Sequence, residues 1–570
     1  MRLCARCEWS RVDGTLPGIA TGITSSTPGR RRRRSPSVLY WERARLRFVT
    51  RLRIPPHLHA DVVVAGGGPA GASSAARLAS AGLRVLVLDQ RSFPRDKVCG
   101  DFVGPAALVE LAALGVTNRT DYVSSNVIRQ AALFLDGREL IHRRMPEVGH
   151  LPAYGRCIPR MQLDHWLLDA ARTAGAGIME GVRVQGFDVQ TDCVTVFAER
   201  RHEKVQLRAR LLIGADGSSS VVSRTLRGAS PSDENRIIAV RAYYDGVSGS
   251  EDRCDLYFSA ESFPGYYWLF PTAATTANVG VGMVLETLPP TADHLRDLLA
   301  GLVASDSALA ERLAGARLRG KVVGWPLTTY DARLALVADR VMLTGDAAGF
   351  INPLNGEGIQ YALTSGRWAA ECAVDALGDD DLSSARLEAY ASRATRELRY
   401  DMALAGLIVQ LIRNRHLTPV WLEALKVISA RARIDEEYAQ TTGGILAGLT
   451  PARDALSARI LGRTIDQAVY SAVLGTAWAA LKGPSHLART GANMLQSGVS
   501  IAATLLSNPA ALADWIAGIA RQGGELALQV AAHLGQDGAI AHPPSPILAS
   551  VARLRIPSEK PADYRSRSIM

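Results

Sequence analysis

The sequence predicts an α/β fold with a parallel sheet, an inserted antiparallel sheet and a helical C-terminal extension. An apolar strand at 62–64 is followed by a glycine cluster, a helix of small residues over Ala70–Ala81 and a second strand at Arg84–Leu88. Strand, turn, helix and strand in so short a stretch are typical of a βαβ unit. The aromatic and β-branched stretch Tyr243–Met283 indicates antiparallel strands, and helical patterns prevail beyond Leu382.

Changes in composition divide the 570 residues into five predicted parts. Residues 1–58 are expected to be a disordered basic tail. Residues 59–380 form the α/β domain, with a substrate-binding sheet interleaved at about 118–150 and 230–325. A helical region at 381–450 and a further helical extension at 451–539 follow, and 540–570 is expected to be a second disordered tail.

The distribution of charge and the number of cysteines argue against several classes of function. The first 60 residues hold 13 arginines and three acids and carry the whole net charge of +10, so the remainder is neutral. A neutral body gives no reason to expect a nucleic-acid partner. Seven scattered cysteines argue against a disulfide framework and for the cytoplasm. No stretch is long and apolar enough to span a membrane, and no cluster has metal-ligand spacing.

Residues 66–71 form a G-x-G-x-x-G motif between the first strand and its helix. Gly66 allows a tight turn, Gly68 lets the backbone approach a pyrophosphate, and Gly71 allows close packing of helix on strand. The helix N-terminus favours phosphate, and an acidic residue after the next strand can bind ribose hydroxyls. The expected dinucleotide contacts are Gly66, Gly68, Pro69, Ala70, Gly71 and Asp89, in a Rossmann-like domain.

Two later segments resemble flavoprotein signatures. Leu211–Ser220 resembles the "DG" signature of flavoprotein hydroxylases, and Gly345–Gly358 resembles their "GD" signature. The resemblance implies FAD, with Asp346 on its ribityl chain and the following helix pointing at the flavin ring. The contacts implied here are Asp216, Gly217, Gly345, Asp346, Pro353, Gly356 and Gly358. Since no second G-x-G-x-x-G lies in a βαβ context, NAD(P)H or another electron donor is expected to dock transiently.

Further segments resemble the geranylgeranyl reductase family of FAD-dependent oxidoreductases, in the para-hydroxybenzoate-hydroxylase-like superfamily. They are Phe93–Asp101, Gly265–Pro271 and Ala277–Gly282, and the resemblance extends over about Asp61–Thr450. It implies hydride transfer from reduced flavin to isolated double bonds of a prenyl chain, carried by a geranylgeranyl lipid or an isoprenoid quinone. The substrate expected from it is a hydrophobic isoprenoid.

Strand alternation places Tyr266, Trp268 and Phe270 on one side of a strand. This aromatic face suits an isoprenoid and could stabilise a cationic carbon, so Tyr266 and Trp268 are candidate catalytic residues. The alternative is that the aromatic residues simply pack the core of the sheet.

The family resemblance puts Cys99 and Gly100 beside the flavin. Cys99 would relay a proton or merely fill space, and Asp101 is a second candidate proton donor. Arg160, just before a helix, corresponds to a family position near FAD, where it would contact phosphate or the ribityl chain.

Two other functions compete with prenyl reduction. One is a flavin monooxygenase or halogenase acting on a small hydrophobic or aromatic molecule, and the other is a non-catalytic FAD-bound scaffold. Peripheral membrane contact is a further hypothesis, because the segment Ala510–Ile519 is amphipathic. The alternative for that segment is packing on the enzyme body.

Overall fold

The computed structural model describes residues 57–228, 236–287, 295–450, 457–486, 488–489 and 509–536, with Tyr40, Asp454 and Ala492. The predicted tail 540–570 lies outside the described residues, as does 1–58 apart from Tyr40, His57 and Leu58.

Eighteen strands lie in the described part of the chain. They are β1 Ala60–Ala65, β2 Val85–Asp89, β3 Phe102–Val103, β4 Asn126–Ile128, β5 Gln130–Leu135, β6 Arg138–Arg144, β7 Gly155–Cys157, β8 Gly177–Glu180, β9 Val182–Val189, β10 Val194–Arg200, β11 Glu203–Gly214, β12 Arg236–Asp245, β13 Arg253–Phe258, β14 Tyr266–Ala273, β15 Thr276–Val284, β16 Arg317–Thr328, β17 Val337–Ala338 and β18 Val341–Leu343.

The α-helices described in full are numbered separately. They are α1 Pro69–Ser80, α2 Pro105–Ala113, α3 Thr120–Val123, α4 Arg160–Thr173, α5 Val221–Arg227, α6 Leu295–Ser305, α7 Ser307–Arg312, α8 Ile359–Asp379, α9 Ser384–Ile412, α10 Thr418–Ile434, α11 Glu436–Leu446, α12 Ala458–Leu481 and α13 Pro509–Gln536.

The first sheet has eight strands and confirms the predicted α/β fold. Its parallel part has the order β18-β11-β1-β2-β8. Strand β17 pairs antiparallel with β18, and β9 and β10 extend the sheet from β11 as antiparallel strands. Val62, Val63 and Val64 are fully buried, as expected where helices cover both faces of a parallel sheet.

The second sheet has seven strands in the order β16-β12-β15-β14-β13-β5-β6. Every neighbouring pair is antiparallel except β13 with β5. Its strands come from 130–144 and 236–328, within the two stretches predicted as its source apart from the last three residues of β16. A third, small sheet has the order β3-β7-β4. Its strands come from the stretches of chain that connect strands of the two large sheets.

Helices α1 and α8 pack closely beside the first sheet. Pro69 opens α1, where a missing N–H costs nothing. A Cβ on Gly366 of α8 would lie 2.4 Å from the carbonyl oxygen of Ala70, so glycine sets the helix separation. Behind this contact, Glu110 of α2 binds Arg77 (2.6 Å) and Arg367 (2.9 Å), and all three side chains are buried.

The C-terminal helices cover one end of the second sheet. Leu422 of α10 packs with Leu135 and Phe258 of that sheet. Helix α13 lies along α9, where the indole nitrogen of Trp515 donates to the carbonyl oxygen of Gln410 (2.8 Å). Within the described residues, no helix has the length and hydropathy needed to cross a bilayer.

Replacing Glu110 by Gln should destabilise the protein strongly. Two buried guanidinium groups would lose their carboxylate, which costs about 3–5 kcal/mol. Urea unfolding of Glu110→Gln measures the change. The control Glu423→Gln removes the exposed pair with Lys426 and should cost less than about 1 kcal/mol. Equal unfolding midpoints for the two variants would contradict the role assigned to Glu110.

Candidate functional site

A large cavity of about 1910 Å³ is lined by residues of both large sheets and of the C-terminal helices. One part is lined by the predicted dinucleotide motifs, and another by the second sheet and helices α9 to α12. Drug-sized ligands commonly occupy about 300–1,000 Å³, so this cavity has room for a dinucleotide and a second, large ligand.

The three predicted motifs meet at one edge of the first sheet. Strands β1, β11 and β18 are parallel neighbours, and they lead directly into Gly66, Ala215 and Thr344. The carboxyl edge of such a sheet is where α/β proteins bind nucleotides. The convergence of the glycine turn with the two aspartate-containing motifs therefore follows from the strand order.

The turn after β1 requires glycine at two positions. Gly66 has φ of 101°, and a Cβ there would lie 2.3 Å from the carbonyl oxygen of Ala215. A Cβ on Gly71 would lie 1.9 Å from the carbonyl oxygen of Gly66. Gly68, Pro69 and Ala70 line the cavity at the start of α1, where no side chain caps the helix. Its first N–H groups are thus available to an anion.

Asp89 at the end of β2 lines the cavity and orders this turn. One carboxylate oxygen accepts from the backbone N–H of Gly67 (2.8 Å) and the other from that of Arg91 (2.8 Å). Both oxygens retain lone pairs that a ribose hydroxyl could use.

Asp216 and Gly217 follow β11 and line the cavity. The Asp216 carboxylate accepts from the hydroxyl of Ser220 and from the N–H of Val221 (2.7 Å). It therefore fixes the start of α5. Burial raises the pKa of Asp216, and these hydrogen bonds oppose the rise.

Gly345 and Asp346 follow β18 in a short 3₁₀ turn. The Asp346 carboxylate lies 3.6 Å from the ammonium of Lys97 and accepts from the hydroxyl of Ser218 (3.3 Å). Burial lowers the pKa of Lys97, while Asp346 raises it. The net effect is a pKa below the ordinary value for lysine. The side chain of Lys97 is 20% exposed and lines the cavity beside the predicted ribityl contact.

Arg160 at the start of α4 lines the cavity and is buried. Its guanidinium donates twice to Asp164, at 2.6 and 2.7 Å, and Arg95 binds the same carboxylate at 2.9 Å. Burial lowers the pKa of Arg160, but Asp164 outweighs it and the pKa rises. Two guanidinium groups are therefore held in a fixed arrangement at the cavity wall.

The loop before α8 contains the predicted contacts Pro353, Gly356 and Gly358, and all three line the cavity. It also holds Glu357, which the sequence motif included but which was not singled out. Burial raises the pKa of Glu357 to about 7, opposed by the N–H groups of Gln360 and Ile359. Glu357 is only partly exposed and lines the cavity, so its carboxyl group is able to give up a proton to a bound molecule near neutral pH.

The segment 99–101 lies in two different environments. Cys99 and Gly100 line the cavity, whereas Asp101 is fully buried outside its wall. The Asp101 carboxylate accepts from Tyr243 (2.6 Å) and Asn278 (2.8 Å). Burial raises its pKa to about 6, against the effect of both donors. Burial also raises the pKa of the Cys99 thiol, with Arg160 opposing.

Strand β14 presents its two faces to different surroundings. Tyr266, Trp268 and Phe270 line the cavity, whereas Tyr267 and Leu269 pack in a separate core. The alternation predicted from the sequence is therefore present, with the aromatic face on the cavity. The Trp268 indole donates to the Asn278 side-chain oxygen (3.0 Å), which fixes the ring.

The rest of the cavity wall is mainly apolar. Strands of the second sheet contribute one side of it and helices α9 to α12 the other. Among these residues are Leu133, Ile141, Leu256, Phe258, Phe263, Ile408, Ile412, Trp421, Leu425, Ile428, Ile445, Leu446, Ile460 and Leu461.

The residues present fit FAD. A Cβ on Gly66 or Gly71 would collide with backbone, so the turn keeps the close-approach shape that a pyrophosphate needs. The uncapped start of α1, with Arg95 and Lys97 in the cavity wall, suits its phosphates. When bound, reduced FAD supplies a hydride equivalent.

Known proteins support this fit. Residues 59–395 match a family model described as FAD binding domain. A menaquinone reductase of Mycolicibacterium smegmatis is 35% identical over 57% of this chain and 79% of its own length. A digeranylgeranylglycerophospholipid reductase of Methanopyrus kandleri is 30% identical over 68% of this chain and 98% of its own length. The class is thereby defined as an FAD-dependent oxidoreductase.

Solved structures share the fold. A geranylgeranyl bacteriochlorophyll reductase-like protein of Thermoplasma acidophilum has a TM-score of 0.54 at 22% identity, covering 71% of this chain and 95% of its own. A flavin-dependent brominase has a TM-score of 0.58 at 19% identity, covering 72% and 99%. The chain belongs to the geranylgeranyl reductase family of FAD-dependent oxidoreductases.

Replacing Gly66 by Ala should abolish FAD binding. The added methyl group meets the carbonyl oxygen of Ala215 at 2.3 Å, in a left-handed conformation that alanine rarely adopts. The absorbance near 450 nm and the FAD content of the purified variant measure the effect. The control Gly301→Ala adds a methyl group in open space on α6 and should keep full FAD content. A yellow, fully loaded Gly66→Ala protein would contradict the predicted pyrophosphate turn.

Proposed function

We propose that this enzyme reduces isolated C=C bonds of a prenyl chain, carried by a geranylgeranyl lipid or an isoprenoid quinone. The observation that carries the proposal is one continuous cavity whose wall includes the dinucleotide motifs, the aromatic face of β14 and an apolar region. Tyr266 of this face contacts the loop before α8 at Asn355 and the apolar side chain of Phe258. An extended hydrocarbon chain needs such a region, whereas a small polar substrate does not. The names of the two relatives, each a reductase of a prenylated molecule, agree with this.

The aromatic face would orient the chain and stabilise positive charge on it. Tyr266, Trp268 and Phe270 form a row with ring centres about 6 Å apart. Each ring face near a developing cation contributes about 0.5–2 kcal/mol. The Tyr266 hydroxyl donates to the carbonyl oxygen of Asn355 (2.5 Å), so the row is tied to the loop before α8.

Reduction of an alkene also needs a proton, and two cavity groups can carry one. Cys99 is a neutral thiol at physiological pH because burial raises its pKa. Glu357 is half protonated near pH 7, which is the range for efficient general acid catalysis. Asp101 is buried outside the cavity wall. In this proposal its backbone N–H donates to the Cys99 sulfur (3.4 Å), and its carboxylate accepts from the Asn278 side chain.

Two further aspects of the function belong to the proposal. NAD(P)H or another donor would reduce the cofactor by transient docking, since the sequence has only one dinucleotide turn in a βαβ context. The enzyme would work in the cytoplasm at a membrane surface, because prenyl lipids and quinones partition into bilayers.

Anaerobic turnover tests the proposed reaction. Dithionite-reduced protein is incubated without oxygen with geranylgeranyl diphosphate or menaquinone, and the products are analysed by mass spectrometry. The expected product carries two additional hydrogens in its prenyl chain, which it keeps after air has oxidised any quinol ring back to the quinone, and the flavin absorbance returns. A monooxygenase or halogenase of the same fold requires oxygen and would leave both substrates unchanged. A flavin that stays reduced with both substrates until oxygen is admitted, with no reduced prenyl product, would contradict the proposal.

Replacing Glu357 by Gln tests the proton donor. The neutral Glu357 carboxyl is lost as pH rises through about 7, so the wild-type rate of anaerobic reoxidation should fall above that pH. Gln cannot donate, so the variant should be about 10²–10⁴-fold slower and lack this descending limb. Stopped-flow absorbance from pH 5.5 to 9 measures both.

The exposed Glu423→Gln is the matched control and should keep the wild-type profile. Glu357→Gln with an unchanged rate and limb would exclude Glu357 as donor. The proton would then be assigned to Cys99, and Cys99→Ala would be expected to show the loss instead.

A further inference from the structure

Helix α12 exposes apolar side chains along most of its length. Val469, Tyr470, Val473, Leu474, Trp478 and Leu481 are between 49% and 81% exposed. No charged residue lies between Gln467 and Leu481. Contiguous exposed apolar surface of this kind is uncommon on soluble monomers and marks an interaction site. The helix lies outside 59–395, the region that matches the FAD binding domain family.

The charge around this helix indicates the kind of partner. The sequence has no acidic residue between Asp466 and Asp514, whereas Lys482 and Arg489 follow the helix and are exposed. The ammonium of Lys482 lies 5.3 Å from the ring centre of Trp478. Tryptophan, tyrosine and basic residues are enriched where a protein meets lipid headgroups. An apolar helix with a basic end suits a bilayer that contains anionic lipid.

The same helix forms part of the cavity wall. Ile460, Leu461 and Thr464 in its first two turns line the cavity, and Ile460 packs with Ile141 of β6 and Tyr438 of α11. Leu461 is 42% exposed and Ile465, one turn further on, is 61% exposed, so apolar side chains with accessible surface run from the cavity wall to Val469. The exposed apolar surface is therefore continuous with the apolar part of the cavity.

We propose that α12 binds the surface of an anionic bilayer and that the cavity opens toward the membrane beside the start of this helix. The function of this membrane binding rests on the proposed prenyl substrate, which would pass between the bilayer and the cavity beside Leu461. Helix α13, which contains the predicted amphipathic segment, instead packs on α9 through Trp515. Binding is at the surface, since no described helix can cross a bilayer.

Vesicle co-sedimentation of the full-length holoenzyme tests the proposal. The vesicles contain phosphatidylcholine alone or with 30% phosphatidylglycerol, at low and high salt. The wild type should bind the anionic vesicles and bind less at high salt. Val473→Asp puts a charge into the apolar surface without touching the cavity, and should lower the bound fraction about tenfold. Val123→Asp, with 63% exposure at Val123 against 58% at Val473, is the matched control and should bind like the wild type.

Three results would overturn the proposal. They are a wild type that binds neither kind of vesicle, a Val473→Asp variant that binds like the wild type, and a dimer in analytical ultracentrifugation that Val473→Asp dissociates. The last result would assign the helix to a second copy of this chain. Equal FAD content and circular dichroism show that both variants are folded.

Vesicle binding needs no turnover, so it is independent of the proposed reaction. Protein that binds vesicles but reduces no prenyl substrate would overturn the proposed reaction alone. Protein that reduces soluble geranylgeranyl diphosphate but ignores vesicles would overturn the role of α12 alone.

Discussion

Asp101 joins the two halves of the cavity, and the geometry of the site depends on it. Its carboxylate binds Tyr243 and Asn278 of the second sheet and the backbone N–H of Arg160 (3.2 Å) on the cofactor side. Asn278 in turn holds the Cys99 carbonyl oxygen (2.7 Å) and the Trp268 indole. Burying a carboxyl group is costly unless hydrogen bonds satisfy it. These bonds offset that cost and fix the thiol and the aromatic face in one arrangement.

The cofactor half and the substrate half are built on different principles. Backbone turns and fixed charges form the first, because phosphates are recognised by N–H groups and cations. Apolar side chains from several separate elements form the second. The brominase shares the fold, so the fold leaves the substrate open. The wall supplied by α10, α11 and α12 is what suits this cavity to a long hydrocarbon.

Sequence patterns predicted much of the site and failed where distant elements approach one another. The glycine turn was found because its motif lies within six consecutive residues, although the carbonyl oxygen that excludes a Cβ at Gly66 belongs to the distant Ala215. The cavity side of β14 was found because strand alternation is a local property. Glu357 was missed because its raised pKa comes from burial by the assembled fold. Asn278 was visible within a motif, but its contacts to residues 99 and 101 span more than 170 positions.

The sequence by itself determined the βαβ unit, the three cofactor motifs, the aromatic alternation and the family, because these depend on residues close together in the chain. Only the tertiary structure decided that Asp101 is buried outside the cavity wall and that α12 is exposed while α13 packs on α9. Burial and desolvation depend on what other segments cover. No local pattern contains that information.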